Sequence, residues 1–203
     1  MANSPLQHGP GIAWADRYVT TPPWDIGRPQ PAFAALADQG AVRGRVLDAG
    51  CGTGEHTLLA AALGLDATGV DLAPRALDAA RGKAGERGLA ARFLRHDARA
   101  LAGLGERFDT VLDCGLFHVF MGDDRVAYVA GLRSVLSSGG RYFMLGCSDR
   151  QPDDQWRRHR MSRQEIEAAF TDGWRIDSLE RATIDTNAHP DGVRAWLLAA
   201  TAT

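Results

Sequence analysis

Lysine is nearly missing from this chain. All but one of its 23 basic residues are arginine, and the exception, Lys83, lies in RGKAGERG, which reads as the exposed end of a helix. A Schiff-base lysine is therefore not expected. No GxxxxGK[ST] segment occurs, which removes a nucleoside-triphosphate P-loop. The six histidines are never closer than 22 residues, and neither CxxC nor HExxH is present, so no metal is expected. Cysteine is scarce too. Cys51, Cys114 and Cys147 are odd in number, widely spaced and set in apolar runs, which suits buried thiols in a reducing compartment. The longest apolar run, 58–65, is broken by Gly64 and falls far short of the roughly 18 residues of a membrane-spanning helix. The opening MANSPLQHGPG is neither basic nor apolar, which points to the cytoplasm and away from a membrane. A formal net charge of −2 excludes strong generic attraction to nucleic acid. The one basic cluster, WRRHR at 156–160, reads as a solvated loop.

What is present is a chain of 203 residues, 45% hydrophobic and 24% charged, in which one core can form without staples. Strand-length apolar runs alternate with helical patterns. RVLDAG (45–50), ATGVDL (67–72), ARFLRHD (91–97), FDTVLDCG (108–115) and RYFMLGCS (141–148) read as strands. Helices are expected over 55–65, 73–88 and 123–140, the last stopped by two glycines. Such alternation implies helices on both faces of a parallel sheet with right-handed crossovers. Beyond Pro152 the pattern changes: Ser162 and Glu165 form a capping box before a short helix, and 174–184 and 193–201 follow as two strands joined by a loop. The expected fold is an α/β, Rossmann-like three-layer sandwich whose mostly parallel seven-stranded sheet has an antiparallel last strand. The first forty residues, with two tryptophans and five prolines between Pro10 and Phe33, cannot be one helix and are read as a cap over a domain spanning 41–203. Trp156, Trp174 and Trp196 are read as packing residues. The charged stretch 149–160 is read as a loop near the substrate.

In doubly wound sheets ligands bind beyond the carboxyl ends of the strands, so the turn VLDAGCGTGEH is the place to look. Gly50, Gly52 and Gly54 let backbone N–H groups and the helix N-terminus approach a ligand closely, and Asp48, Asp71 and Asp97 supply an acid at each of three strand ends. A dinucleotide pyrophosphate at this turn would be repelled by Asp48 unless that carboxylate is turned away. S-adenosylmethionine has no phosphate: its ammonium suits Asp48 or a nearby carbonyl, its ribose suits Asp71, and its adenine amino group suits Asp97, with the Ala98 N–H nearby.

These segments resemble the class I S-adenosylmethionine-dependent methyltransferases over essentially the whole chain. VLDAGCGTG is similar to their cofactor loop, GVDLAPRALDAAR to the acidic second strand, RHDARAL to the adenine segment and FDTVLDCGLFHVF to the fourth strand. WADRYVTTPPWDIGRPQP resembles the thiopurine, thiol and halide methyltransferase group. The resemblance implies that Trp14, Tyr18 and Trp24 enclose the cofactor, that Leu72 accompanies Asp71, and that Cys114 lies at the sulfonium end, where some relatives carry arginine or an aromatic.

Methyl transfer from a sulfonium is an in-line displacement, so alignment of the acceptor matters most. A thiol, with a pKa of about 8.5, needs little help; a phenol or ring N–H needs more. The residues expected to give it are His118, Asp113 and Tyr18, with Arg150 binding an anionic acceptor. The acceptor is expected to be a small molecule, most suitably a thiol or other soft or heteroaromatic nucleophile, handled by a monomer or homodimer. Two other readings stay open: an oxidoreductase with a dinucleotide in the same sheet, and a non-catalytic protein that senses the adenosyl compound.

Overall fold

The computed structural model describes residues 18–152 and 160–203. In chain order the regular elements are α1 (Pro31–Asp38), β1 (Arg45–Ala49), α2 (Glu55–Ala62), β2 (Asp66–Asp71), α3 (Pro74–Arg87), β3 (Arg92–Arg95), β4 (Phe108–Cys114), α4 (Gly122–Val135), β5 (Leu136–Cys147), α5 (Arg163–Ala169), β6 (Trp174–Ile184) and β7 (Val193–Ala202). Short 3-10 segments, Ala98–Leu104 and Phe117–Val119, follow β3 and β4. All seven strands join one sheet in the order β3-β2-β1-β4-β5-β7-β6. Neighbours among the first five strands are parallel, and β7 runs antiparallel to both β5 and β6, which is the expected Rossmann-like arrangement.

The pleat explains the layering. Val46 and Leu47, Leu112 and Val111, Phe143 and Met144 are sequence neighbours that face opposite sides of the sheet, so each central strand needs apolar residues at every position. One side packs on Phe33 and Ala37 of α1 and Ala60 of α2; the other packs on Leu132 and Val135 of α4 and Ile166 of α5. The capping box of Ser162 and Glu165 starts α5 as expected. Trp196 is buried, with its indole N–H donating to the Met161 carbonyl (2.9 Å), and Trp174 packs on Phe170. Among the described residues no helix is long and apolar enough to cross a membrane.

One boundary differs from expectation. The helix read over 123–140 ends at Val135, and the next residue already belongs to β5. Leu136 is fully buried and extended, pairs with Phe108, and accepts the Arg107 guanidinium on its carbonyl (2.8 Å). The pairing then jumps from Leu136 to Arg141. The extra residues loop out because Gly139 takes a left-handed φ of 75° and a Cβ on Gly140 would stand 2.8 Å from the Ser137 carbonyl. The two glycines therefore accommodate an irregularity inside a strand instead of stopping a helix.

Another glycine fixes how α2 meets α3. Gly54, φ +86°, precedes α2, and a Cβ there would come within 2.8 Å of the Ala80 methyl and 2.9 Å of the Phe93 ring. Gly54→Ala combines overpacking with a strained backbone, and urea unfolding should show a loss of about 2–3 kcal/mol.

Candidate active site

A cavity of about 400 Å³ opens at the carboxyl edge of the sheet, where the strand order parts between β1 and β4. Successive strand ends supply its wall: Gly50–Gly52 after β1, Asp71 and Leu72 after β2, Asp97 and Ala98 after β3, Cys114 and His118 after β4, and Cys147 at the end of β5. Because β6 runs parallel to β5 and β7 returns, their connecting loop reaches the same edge and adds Ile184, Thr186 and Val193. Tyr18, Trp24, Arg28 and Gln30 bring the N-terminal segment onto the wall.

Gly50 and Gly52, with φ of 70° and 52°, bend the chain in a way side chains resist. The amides face the opposite way from the sequence-based expectation. Gly50 and Cys51 both donate to the Val70 carbonyl (2.9 Å each), and Gly52 donates to Asp71 Oδ2 (2.9 Å). A pyrophosphate would need those N–H groups. A trans peptide sets the Gly50 carbonyl opposite the Cys51 N–H, hence away from β2, where it is an acceptor suited to an ammonium.

Asp48 does not reach the wall. It is buried beneath the turn, its Oδ2 accepting from the Thr57 amide (3.0 Å) and hydroxyl (2.7 Å), while Oδ1 has no partner. Burial pushes its carboxyl up to about 7, against the two Thr57 bonds that favour the charge. Gly54 is likewise a packing residue off the wall. Asp71 does line the cavity; Oδ1 accepts from the Ala73 amide (2.8 Å), and each carboxylate oxygen keeps lone-pair capacity for a further donor. Asp97 lines it too, but Arg99 already holds its carboxylate (2.6 Å to Oδ2), which keeps it below the usual carboxylate range.

At the other end the expected proton acceptors take different roles. Asp113 is fully buried and off the wall. It accepts from the Tyr128 and Tyr142 hydroxyls (2.7 and 2.8 Å) and from the amides of Leu116 and Phe117, so it anchors the turn after β4. Arg150 is exposed and also off the wall. Nδ1 of His118 accepts the Cys147 amide (3.1 Å), which puts the ring proton of the neutral imidazole on Nε2 and leaves Nδ1 unavailable as a base. The Tyr18 phenol accepts from Trp24 Nε1 (3.4 Å), and its ionisation is pushed upward chiefly by burial. Its hydroxyl stands 2.7 Å from where a Cβ on Gly52 would be. Burial also pushes the Cys114 thiol up, so it remains protonated at neutral pH. Trp14, Trp156 and most of the 149–160 loop lie outside the described residues.

Several wall residues carry no local sequence signal. Gln30 pairs with the Asp185 backbone through both ends of its amide (2.8 and 3.0 Å), Arg28 ion-pairs with Asp185 (2.7 Å), and Asn187 donates to the Pro23 carbonyl (2.7 Å). These bonds stitch the N-terminal segment to the β6–β7 loop across more than 150 residues. His56 Nε2 accepts the Gln30 amide (3.1 Å), and burial lowers the ring to about 4, so it stays neutral. Lys83, expected to be exposed, is half-buried against Thr53 and Glu55 (2.8 Å each).

Within this geometry an outward carbonyl, a carboxylate with open lone pairs and apolar walls fit a cationic adenosyl compound. A family model described as "Methyltransferase domain" matches residues 46–140. The chain is 34% identical over 174 residues to the 2-heptyl-1-hydroxyquinolin-4(1H)-one methyltransferase of Mycobacteroides abscessus, covering 85% of this chain and 77% of that protein. It belongs to the class I S-adenosylmethionine-dependent methyltransferases, and S-adenosylmethionine is its cofactor. A solved structure described as "Conversion of a Disulfide Bond into a Thioacetal Group during Echinomycin Biosynthesis" is similar at 40% identity and a TM-score of 0.81, covering 89% of this chain and 84% of that one. Magnesium protoporphyrin IX methyltransferase from Synechocystis with bound SAM shares the fold, with a TM-score of 0.65 at 23% identity over 85% of this chain and 76% of that one.

The unpartnered Oδ1 gives Asp48 a measurable signature. Its folded pKa lies above its unfolded value, so the folded state holds an extra proton between roughly pH 4 and 7 and loses stability as pH rises through that window. Asp48→Asn removes the charging cost. Urea unfolding should show the variant more stable than the parent by a few kcal/mol at pH 8, with the gain shrinking as pH falls and vanishing only below about pH 4.

Proposed function

We propose that this protein transfers a methyl group from S-adenosylmethionine to a small molecule whose nucleophile is soft or heteroaromatic, a thiol or a ring-bound hydroxyl, and that it does so without a general base. One observation carries the reading. Gly50 and Asp71 line the same cavity as Cys114, His118, Cys147, Ile184 and Val193, so a donor half and a mostly apolar acceptor half are continuous. When bound, the cofactor supplies a sulfonium-activated methyl carbon, to which the acceptor bonds as the carbon–sulfur bond breaks. In this reading the Gly50 carbonyl receives the ammonium, Asp71 the ribose hydroxyls, and Leu72 and Ala98 flank the adenine with Asp97 and Arg99 beyond. Tyr18 and Trp24 belong to a cap, assigned to 1–40 together with Trp14, that excludes water over the 41–203 domain. Methyl transfer needs no protein nucleophile; Cys114 and Cys147 serve as soft wall, the Cys114 thiol held protonated by burial.

The His118 tautomer shapes the acceptor's chemistry. With Nδ1 taken by the Cys147 amide, that nitrogen cannot take a proton from the acceptor, which favours an acceptor arriving as an anion. Thiolates and ionised N-hydroxy heteroaromatics meet that demand. The relative that acts on a hydroxyquinolone and the structure concerned with a disulfide and a thioacetal both support this substrate range without fixing it. Membership of the thiopurine, thiol and halide group is part of the same proposal, resting on the segment around Tyr18 and Trp24. So are a chain acting as monomer or homodimer, a cytoplasmic setting, and the lack of a nucleic-acid substrate, for which the near-zero net charge speaks.

The deciding experiment offers thiols, phenols and N-hydroxyquinolines with the cofactor and reads product mass for the gain of one CH2; no gain from any of them favours a non-catalytic binder. Calorimetry should show S-adenosylhomocysteine binding and NAD not binding. Asp71→Asn should weaken that binding about ten-fold or more, through lost charge-assisted bonds. Across a series of thiols, the inflection in the pH dependence of kcat/KM should track each acceptor's own pKa; a fixed inflection for all would reveal a protein base.

A further inference from the structure

We propose that Lys83 is a positioning residue for the methyl-donor site, holding the glycine turn and the N-terminal segment together through Thr53 and Asp25. This rests on the reading that the donor binds against that turn. Lys83 is not on the cavity wall; Asp25, Thr53 and Glu55 are. Its ammonium donates to Thr53 Oγ1 (2.8 Å) and Glu55 Oε1 (2.8 Å) and stands 3.9 Å from Asp25 Oδ1. Because Thr53 Oγ1 accepts from Lys83, its single proton is directed to Asp25, at 2.9 Å. The chain of bonds thus runs from α3 through the tip of the turn to the N-terminal segment.

Glu55 does not explain the lysine. Arg87 already holds both Glu55 oxygens (2.8 and 2.9 Å), so that carboxylate stays paired if Lys83 is removed. What Lys83 adds is the bond to Thr53 and the charge beside Asp25. Thr53 sits between Gly52 and Gly54, both left-handed, so its side chain is the handle by which this bend can be held. The residue type fits the task. A compact ammonium with three donors can serve three acceptors set around it, whereas a planar guanidinium matches one carboxylate, as Arg87 matches Glu55. In a chain that uses arginine at every other basic position, the single lysine stands where that geometry is required.

The test is S-adenosylhomocysteine affinity by calorimetry, with unfolding midpoints recorded for every variant. Lys83→Met should weaken binding about ten-fold. Arg87→Met, which leaves the Lys83–Thr53–Asp25 bonds in place, should change it less than two-fold. Thr53→Val should weaken binding and make Lys83→Met nearly silent in the double variant, because the lysine acts through the hydroxyl. Hydrogen exchange over 18–30 should quicken in Lys83→Met. If Lys83→Met is unstable, Lys83→Gln tests the same bond and should also weaken binding. Parent-like affinity in a folded Lys83 variant, beside weakened binding by Asp71→Asn, would overturn the positioning role alone. Parent-like affinity in Asp71→Asn as well would overturn the donor-site reading beneath it. Additive effects of Thr53→Val and Lys83→Met would also sink the proposal.

Discussion

Three hydrogen bonds between the glycine turn and β2 govern the site. Gly50 and Cys51 share the Val70 carbonyl, and Gly52 takes a carboxylate oxygen of Asp71, so the turn is closed onto the neighbouring strand before any ligand arrives. The consequence is one of sign. A turn that spends its amides internally offers carbonyl oxygens outward, and carbonyls attract cations, whereas the dinucleotide version of this turn must keep its amides for phosphate. Asp71 joins the two halves of this arrangement, bracing the turn with one lone pair and facing the cavity with others. Beneath it Asp48 can become a further negative centre behind the turn, its burial making that charge costly until a cation is near.

Strand order then decides what faces the proposed donor end. The crossing from β3 back to β4 puts Cys114 opposite the glycine turn, and the antiparallel return of β7 carries the 184–193 connection to the same edge. Without the hairpin the cavity would lack Ile184, Thr186 and Val193 on its wall. The bonds from Gln30, Arg28 and the Pro23 carbonyl to 185–187 tie that connection to the N-terminal segment. Two regions remote in sequence therefore form one wall, and in the proposed reading a change in either shifts the acceptor's surroundings.

The sheet and the proposed donor half are legible in the sequence because their signals are local. Central strands need apolar residues on both faces, which makes runs such as VLDAG and YFML visible, and Asp71 announces itself by ending such a run. Other features depend on distant partners. Asp113 looks like a strand-end acid available for chemistry, yet Tyr128 and Tyr142, 15 and 29 residues away, saturate it. Lys83 lies in a polar helical stretch that reads as solvent-facing until Thr53, 30 residues before it, is seen beneath. The end of α4 is hidden for a different reason: paired glycines are used both to stop helices and to let strands bulge, and only the burial of Leu136 separates the two.

The placement of ionisable groups around the cavity has a common direction. Asp113 is saturated by donors, His56 is held neutral by burial, the Tyr18 phenol and Cys114 thiol are pushed away from ionisation, and His118 lends its Nδ1 to the Cys147 amide. Each of these removes a candidate proton acceptor. That pattern suits a displacement in which a positive donor and a negative nucleophile lose their charges together, since a low-polarity enclosure favours the neutral products and strengthens the attraction between the approaching partners. A strong base in the same wall would need its own solvation or counter-charge, and either would dilute that effect. In the proposed reaction selectivity falls to whether an acceptor can be anionic at the working pH and still enter an apolar wall, a demand that soft thiolates and delocalised heteroaromatic oxyanions satisfy more readily than hard alkoxides.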